Sequence, residues 1–303
     1  MFKLAHISDP HLGPLPTVRW RDLASKRAFG YVNWKRGRSS ALGPESLQRL
    51  VADLHAAHPS HIAVTGDLIN IGLPAEIDAA HVWLATLGDP HRVSVVPGNH
   101  DAYLPGAMRH YSDIWAPYMA GDDGHGGFPY VRRRGLVAIV GTSSAITSAP
   151  LMATGRVGTA QSEAIREQLE ALGREGLFRV VLIHHPPVSG STAWHKRLTD
   201  SQRFRSVIER AGAELVLHGH NHLTSVATIP GPAGPVPVVG ATSASLHATP
   251  ARHGGSYILY RIRKEEGGFV CDMEERGPPQ AGAAIGTLST RRLVGGGAFS
   301  LAG

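Results

Sequence analysis

Thiol chemistry is almost absent from this chain: its 303 residues hold one cysteine, Cys271. That excludes a disulfide framework and any thiolate metal cluster. Charge is also sparse, at 18%, but a hydrophobic content of 42% is that of a globular chain rather than a disordered one. No apolar run approaches the ~18 residues that a membrane helix needs. The opening, MFKLAHISDPH, reaches Asp9 and His11 too soon for a signal-peptide core. A soluble cytoplasmic protein is expected. With no internal repeat and no linker composition, residues 1–276 read as a single domain. Residues 277–303, rich in Gly and Ala with little periodicity, read as a loosely packed tail.

What the chain does have is a local excess of positive charge. Between Thr17 and Arg38 lie Arg19, Arg21, Lys26, Arg27, Lys35, Arg36 and Arg38 against one acid, Asp22. That surplus equals the net charge of the whole chain, +6, so the remainder is neutral. A general nucleic-acid binder would spread its charge more widely, which makes nucleic acid an unfavoured partner.

Short runs rich in Val, Ile and Leu recur at residues 2–8, 61–67, 93–98, 136–141, 179–184 and 214–218, and read as buried strands. Amphipathic helical stripes lie between several of them. Pro44 opens one with Leu47, Leu50, Val51 and Leu54; Pro74 opens another that Gly88 closes. Two more are expected near 161–172 and 201–211. This alternation argues for an α/β domain with a largely parallel inner sheet. After His222 the helical signal stops, and short strands separated by Gly and Pro suggest a second sheet against the first.

The strand ends carry the chemistry. In order they are Asp9-Pro10-His11, Gly66-Asp67, Gly98-Asn99-His100-Asp101, His184-His185-Pro186 and Gly219-His220-Asn221-His222. In open α/β sheets the carboxyl edge is where loops converge on one crevice. Carboxylate, imidazole and amide together suit Zn, Mn or Fe, and not a calcium cage, which takes oxygens only. Each element alone is a weak signal; five in order, each at a strand end, point to a metal centre.

The order D-x-H, GD, GNHD, H, GHxH resembles that of the calcineurin-like metallophosphoesterases, over residues 2 to about 225. The GNHD element and compact chain look more like class III cyclic-nucleotide phosphodiesterases and their bacterial relatives than like protein Ser/Thr phosphatases. The latter carry a GDxVDRG element, whereas here the stretch reads Gly66-Asp67-Leu68-Ile69-Asn70-Ile71-Gly72. The resemblance implies a four-layer α/β/β/α sandwich with two mixed sheets. It implies two divalent or mixed-valence ions (Mn, Fe or Zn): Asp9, His11 and His222 on one, Asn99, His184 and His220 on the other, and Asp67 bridging. Such an ion pair clamps a phosphoryl group and activates a hydroxide nucleophile between them. His100 is then the candidate general acid for the leaving oxygen, with Asp101 orienting it. The implied reaction is phosphodiester hydrolysis, cyclic nucleotides being the first substrates to consider. The alternatives are a pyrophosphatase or phosphodiesterase for a nucleotide-linked or lipid-linked anion at a membrane surface, and a nuclease.

Other histidines read more blandly. His185 is a candidate contact for substrate phosphate, His6 and His218 are structural, and His247 is at most a distant liner of the cleft. The segment 103–134 is expected to cover the site. The basic stretch follows Asp9 and His11 directly, so it should lie beside the metals. With Trp20, Leu23, Ala24 and Ala28 as a helical stripe, it would bind a small anionic phosphoester through Arg19 and Arg21, or rest on anionic lipid.

Overall fold

In the computed structural model, residues 1–23, 25–35, 43–104, 113–124, 126–249 and 253–295 are described. Among the described residues, twelve strands build two six-stranded mixed sheets, and four of the five helices flank them. The first sheet runs β12 (Gly286–Val294), β11 (Gly268–Gly277), β10 (Tyr257–Glu265), β1 (Phe2–Ile7), β2 (His61–Val64), β3 (Val93–Val95). The second runs β4 (Tyr130–Arg134), β5 (Val137–Gly141), β6 (Phe178–Leu182), β7 (Leu215–His218), β9 (Val236–Gly240), β8 (Ser225–Ile229). Strands β1–β3 of the first sheet and β5, β6, β7 and β9 of the second are parallel, so their carboxyl ends share an edge within each sheet.

The sheets pack face to face, and the pleat decides which residues fill which layer. In β5, Val137 and Ile139 join the core between the sheets, whereas Ala138 and Val140 join the core under the outer helices. Helices α2 (Pro44–Ala56) and α3 (Pro74–Leu87) cover the first sheet; α4 (Thr159–Arg174) and α5 (Ser201–Ala211) cover the second. The α2 stripe Leu47, Leu50, Val51, Leu54 is wholly buried, each side chain contributing roughly 1.5–3 kcal/mol of apolar burial. Proline stands at the first turn of both α2 and α3. Among the described residues no helix is long and apolar enough to cross a membrane.

The structure departs from the sequence reading at several points. The C-terminal strands form no sheet of their own: β8 and β9 extend the second sheet, and β10–β12 extend the first. Residues 286–294 of the expected tail are an edge strand, held by backbone pairing to β11 with Leu293 as its buried anchor. Strand β4 was hidden by Arg132, Arg133 and Arg134. Arg132 is buried because its guanidinium donates to the carbonyls of Ala120, Val93, Pro117 and Pro90. Of the segment expected to cover the site, Tyr103 lines the cleft, whereas Trp115, Tyr118 and Met119 sink into the core; residues 105–112 and 125 lie outside the described residues.

The basic stretch is a short 3-10 turn, Trp20–Leu23, followed by α1 (Arg27–Asn33), rather than one amphipathic helix. Arg27 donates to the carbonyls of Ile71 and Gly72, which ties α1 to the Asp67 loop. Ala24, Arg36 and Arg38 lie outside the described residues.

Candidate functional site

The loops at the strand ends meet between the sheets, where β1 and β2 of one approach β6 and β7 of the other. Asp9, His11, Asp67, Asn99, His184 and His220 are all buried there, and His222 is partly buried. Seven non-glycine residues have positive φ among the described residues, and five are Asp9, His11, Asp67, His220 and His222. Backbone in that region is uncommon for such side chains and persists only where surrounding contacts over-determine it. The strain is therefore concentrated on this one constellation.

The two oxygens of Asp9 have different surroundings. Oδ2 accepts the Ser8 hydroxyl at 2.6 Å and the His220 amide at 3.0 Å. Ser8 is fixed in turn by Thr65 at 2.7 Å, and Thr65 by His6 Nε2 at 2.8 Å. Oδ1 is buried with no hydrogen-bond partner, 3.2 Å from His222 Nε2 and 3.9 Å from His11 Nε2. His11 and His222 bring these nitrogens within 3.1 Å of each other. A Cβ on Gly219 would strike Ser8 and Asp9, so only glycine lets the loop after β7 approach this closely.

Asp67 joins this group to a second one. Its Oδ1 accepts the His100 amide at 2.8 Å. Its Oδ2 lies 3.7 Å from His11 Nε2 and 3.5 Å from His184 Nε2. His184 donates Nδ1–H to the Thr65 carbonyl at 2.6 Å, which turns Nε2 toward Asp67 and toward Asn99 Oδ1 at 3.3 Å. His220 gives Nε2–H to the Lys196 carbonyl at 2.9 Å, leaving Nδ1 as its lone-pair nitrogen. Two groups of convergent donor atoms result: Asp9, His11, Asp67 and His222, and His184, His185 and His220. Within the second, both His185 nitrogens are engaged, Nδ1 with Ser144 Oγ at 2.8 Å and Nε2 with the Ala153 carbonyl at 3.2 Å.

Positive charge is wanted between these atoms. Burial alone would lower the pKa of His184, but the Asp67 carboxylate outweighs it and raises the ring to about 9. Burial would raise Asp67, and the facing His184 and His100 rings hold it well below the usual carboxylate range instead. Asp9 is likewise lowered: its burial is overcome chiefly by His222. Burial, with His185 and His184 nearby, lowers His220 well below its ordinary value and keeps it neutral, the form in which imidazole binds a metal. A buried carboxylate oxygen that faces histidine nitrogens without a hydrogen bond, a carboxylate facing two histidines and a neutral imidazole fit a pair of divalent ions.

His100 stands beside this centre on the wall of a cleft of about 370 Å³. Its Nδ1 donates to the Asn70 carbonyl at 2.5 Å, and its ring stacks on Tyr103 and meets His11 edge-on. Asp101 does not orient it, which corrects the sequence expectation. The Asp101 carboxylate is consumed by four backbone amides, those of Asp67, Leu68, Ile69 and Gly98. Burial and the Asp67 charge push it up to about 7 against that pull. It clamps the two loops together, and Glu76 does the same for Asn70, Ile71 and Leu73. Asp101 stands in the GNHD element and Glu76 in no motif, but neither clamp is legible, because backbone donors are invisible in a sequence.

The other cleft walls are α1, through Lys26, Phe29, Gly30 and Asn33, and two loops that bring Leu151, Met152 and Ala153, and His195 and Lys196. The basic stretch thus does border the site, but through Lys26; Arg19 and Arg21 are exposed and do not line the cleft. His185 lies behind the cleft wall, closed off by Ser144 and Ala153. His247 packs against Ser46 at the start of α2 instead of the cleft.

The calcineurin-like phosphoesterase family model matches residues 2–223. No curated protein matches the chain. Among solved structures, a dimetal phosphatase from Danio rerio is similar in fold, with a TM-score of 0.54 at 14% identity over 95% of this chain and 98% of that one. A 5'-nucleotidase precursor from Thermus thermophilus matches with a TM-score of 0.52 at 16% identity over 90% of this chain. A purple acid phosphatase from yellow lupin seeds matches at 0.54 and 10% identity over 91% of it. The chain spans about half the length of the last two, 54% and 51%.

Proposed function

The chain belongs to the calcineurin-like phosphoesterase family, and from that premise we propose that this metallophosphoesterase hydrolyses phosphodiesters at a dinuclear centre in which Asp67 would serve both ions. The observation that carries the reading is the single Asp67 oxygen facing both His11 and His184, at 3.7 and 3.5 Å. Asp9, His11 and His222 would hold one ion and Asn99, His184 and His220 the other. Imidazole, carboxylate and amide ligands suit Mn, Fe or Zn. When bound, two divalent ions supply Lewis-acid charge that attracts and polarises a phosphoryl anion.

The chain's own residues supply the rest. Ser8 and the His220 amide fix the Asp9 carboxylate, and Thr65 and Lys196 fix the tautomers of His184 and His220. With Nδ1 donating to Asn70, Nε2 of His100 is the atom that gives a proton to a leaving alkoxide. A phosphoester leaves as an alkoxide that needs this proton, and the cleft-side position of His100 suits that role. The GNHD element and the departure from GDxVDRG make cyclic nucleotides the first candidates. A second reading, cleavage of a nucleotide-linked or lipid-linked ester or pyrophosphate, is favoured by the basic, partly apolar wall that α1 gives the cleft. A nuclease would want a wider basic surface than residues 17–38 provide.

The test is hydrolysis of an aryl phosphodiester and an aryl monoester by the full chain with Mn, Zn or Fe, then of cyclic nucleotides. Diester cleavage faster than monoester cleavage is expected. Cleavage of the monoester alone, or of no diester with any metal, defeats the reading.

A further inference from the structure

Resting on the reading of the site as a phosphoester centre, we propose that the mouth of the cleft docks on an anionic lipid bilayer and takes a phosphoester carried by a lipid. Large apolar side chains are left in solvent on the segments that form this mouth. Trp20 is 81% exposed, Phe29 52%, Leu151 73% and Trp194 68%. Phe29, from α1, and Leu151, from the loop after β5, both line the cleft, and Trp194 directly precedes the liners His195 and Lys196. Trp20 stands in the turn before α1. Three separate chain segments thus converge on one apolar rim, which no single periodic stripe could produce. Leu151 is held there at a φ of 64°, an uncommon conformation for a leucine. A soluble ester at the base of the cleft has no use for exposed apolar surface around its mouth, and such a patch marks an interaction surface.

The rim is also cationic, which selects its partner. Arg21 lies over the Trp20 ring at 6.0 Å, and Arg197 over the Trp194 ring at 5.5 Å. Both outer tryptophans therefore carry a guanidinium beside them, the pairing of apolar body and cationic head that suits a headgroup layer. The chain's basic surplus lies in the same 22 residues, and Lys26 and Lys196 continue it inward along the cleft. The mouth is preformed: Lys26 Nζ donates to the Ser148 carbonyl at 3.0 Å and its hydroxyl at 3.1 Å, joining α1 to the opposite loop. Single-stranded nucleic acid would stack on the same aromatics, but it needs a basic track extending from the cleft, and the rest of the chain is neutral. A bilayer needs only a rim. The phosphoester would enter the cleft toward Asn99 and His100 while its alkyl chains stay in the membrane.

The experiment sediments the full chain with phosphatidylcholine vesicles and with vesicles containing phosphatidylglycerol. Binding to the anionic vesicles, weakened by salt, is expected. The double variant Trp20→Ser, Trp194→Ser should bind them about tenfold more weakly or worse. It should still cleave a soluble short-chain aryl phosphodiester at the unaltered rate, while losing activity on a hexadecyl aryl phosphodiester held in those vesicles. Absent or charge-independent vesicle binding overturns the proposal. So does a double variant that binds and cleaves as the parent does, or capture of a single-stranded oligonucleotide in preference to anionic vesicles. If the soluble diester is not cleaved by either protein, the reading of the site fails instead, and the vesicle binding is judged by itself.

Discussion

Asp9 illustrates how individual residues are committed at this site. Its Oδ2 ends a relay of hydroxyls running through Ser8 and Thr65 to His6, and its Oδ1 is left buried without a hydrogen-bond partner. A buried carboxylate oxygen without a partner costs stability unless a cation meets it. His6, which the sequence offers only as a polar residue inside a strand, therefore has a traceable role in aiming a ligand. His100 is held differently, by the Asn70 carbonyl and the Tyr103 ring, and meets the centre through its amide on the Asp67 carboxylate and the edge of His11. Replacing it should thus separate chemistry from assembly. His100→Ala is expected to lower kcat on an alkyl phosphodiester by about a hundredfold or more, with bound metal, measured by elemental analysis, unchanged. Loss of metal in that variant would assign His100 to the centre itself. The ligand candidates were legible at this scale, since each follows an apolar run; Asp101 was misread, because adjacency to His100 in sequence says nothing about which amides a carboxylate meets.

Among the elements, the loop between β2 and α3 is the most heavily constrained. Asp101 takes the amides of Asp67, Leu68 and Ile69, Glu76 takes those of Asn70, Ile71 and Leu73, and Arg27 takes the carbonyls of Ile71 and Gly72. Successive backbone groups are thereby satisfied by side chains from three other segments, so the Asp67 backbone can hold its φ of 55°. The outer strands of the first sheet use charge instead. Burial would raise the pKa of Glu274 on β11, but the Thr287 hydroxyl and the Arg261 and Arg276 guanidinium groups outweigh it and hold the carboxyl at about 2. A folded value below the ordinary 4.5 means that the stabilisation is complete above pH ~5 and is lost as the pH falls through about 2. Urea midpoints measured from pH 6 to pH 2 should therefore fall, and Glu274→Gln should flatten that slope. An unaltered slope would show that the contact adds nothing. Strand β12, which carries Thr287, was illegible because an edge strand is held by backbone pairing and its side chains stay polar. The four long helices were legible because their burial repeats at the helical period.

At the scale of the whole molecule, the two sheets bring together acceptor atoms that come from opposite ends of the chain. Asp9 and His11 follow the first strand, and His220 and His222 follow the seventh, yet His11 Nε2 and His222 Nε2 lie 3.1 Å apart. Groups collected in this way gain stability from a cation that binds only the folded state. Metal at a hundredfold excess over its Kd adds about 2.7 kcal/mol per site, which for a domain of this size is a Tm rise of about 5 °C or more. Calorimetry with and without a chelator should show that difference, and Asp67→Ala should shrink it, because that carboxylate serves both groups. Equal Tm values in the two conditions would remove the metal from the folding equilibrium.

Local sequence suffices for the strand–helix alternation, the five strand-end motifs and their order, since buried runs and helical stripes are local consequences of which residues water excludes. It also locates the basic surplus. Three-dimensional packing was needed to divide the C-terminal strands between the two sheets, to choose the backbone groups that Asp101 and Glu76 satisfy, and to turn Lys26 rather than Arg19 or Arg21 toward the cleft. Those outcomes depend on contacts between residues far apart in the chain, where register, loop path and the direction of a side chain are set by packing and not by neighbours in sequence.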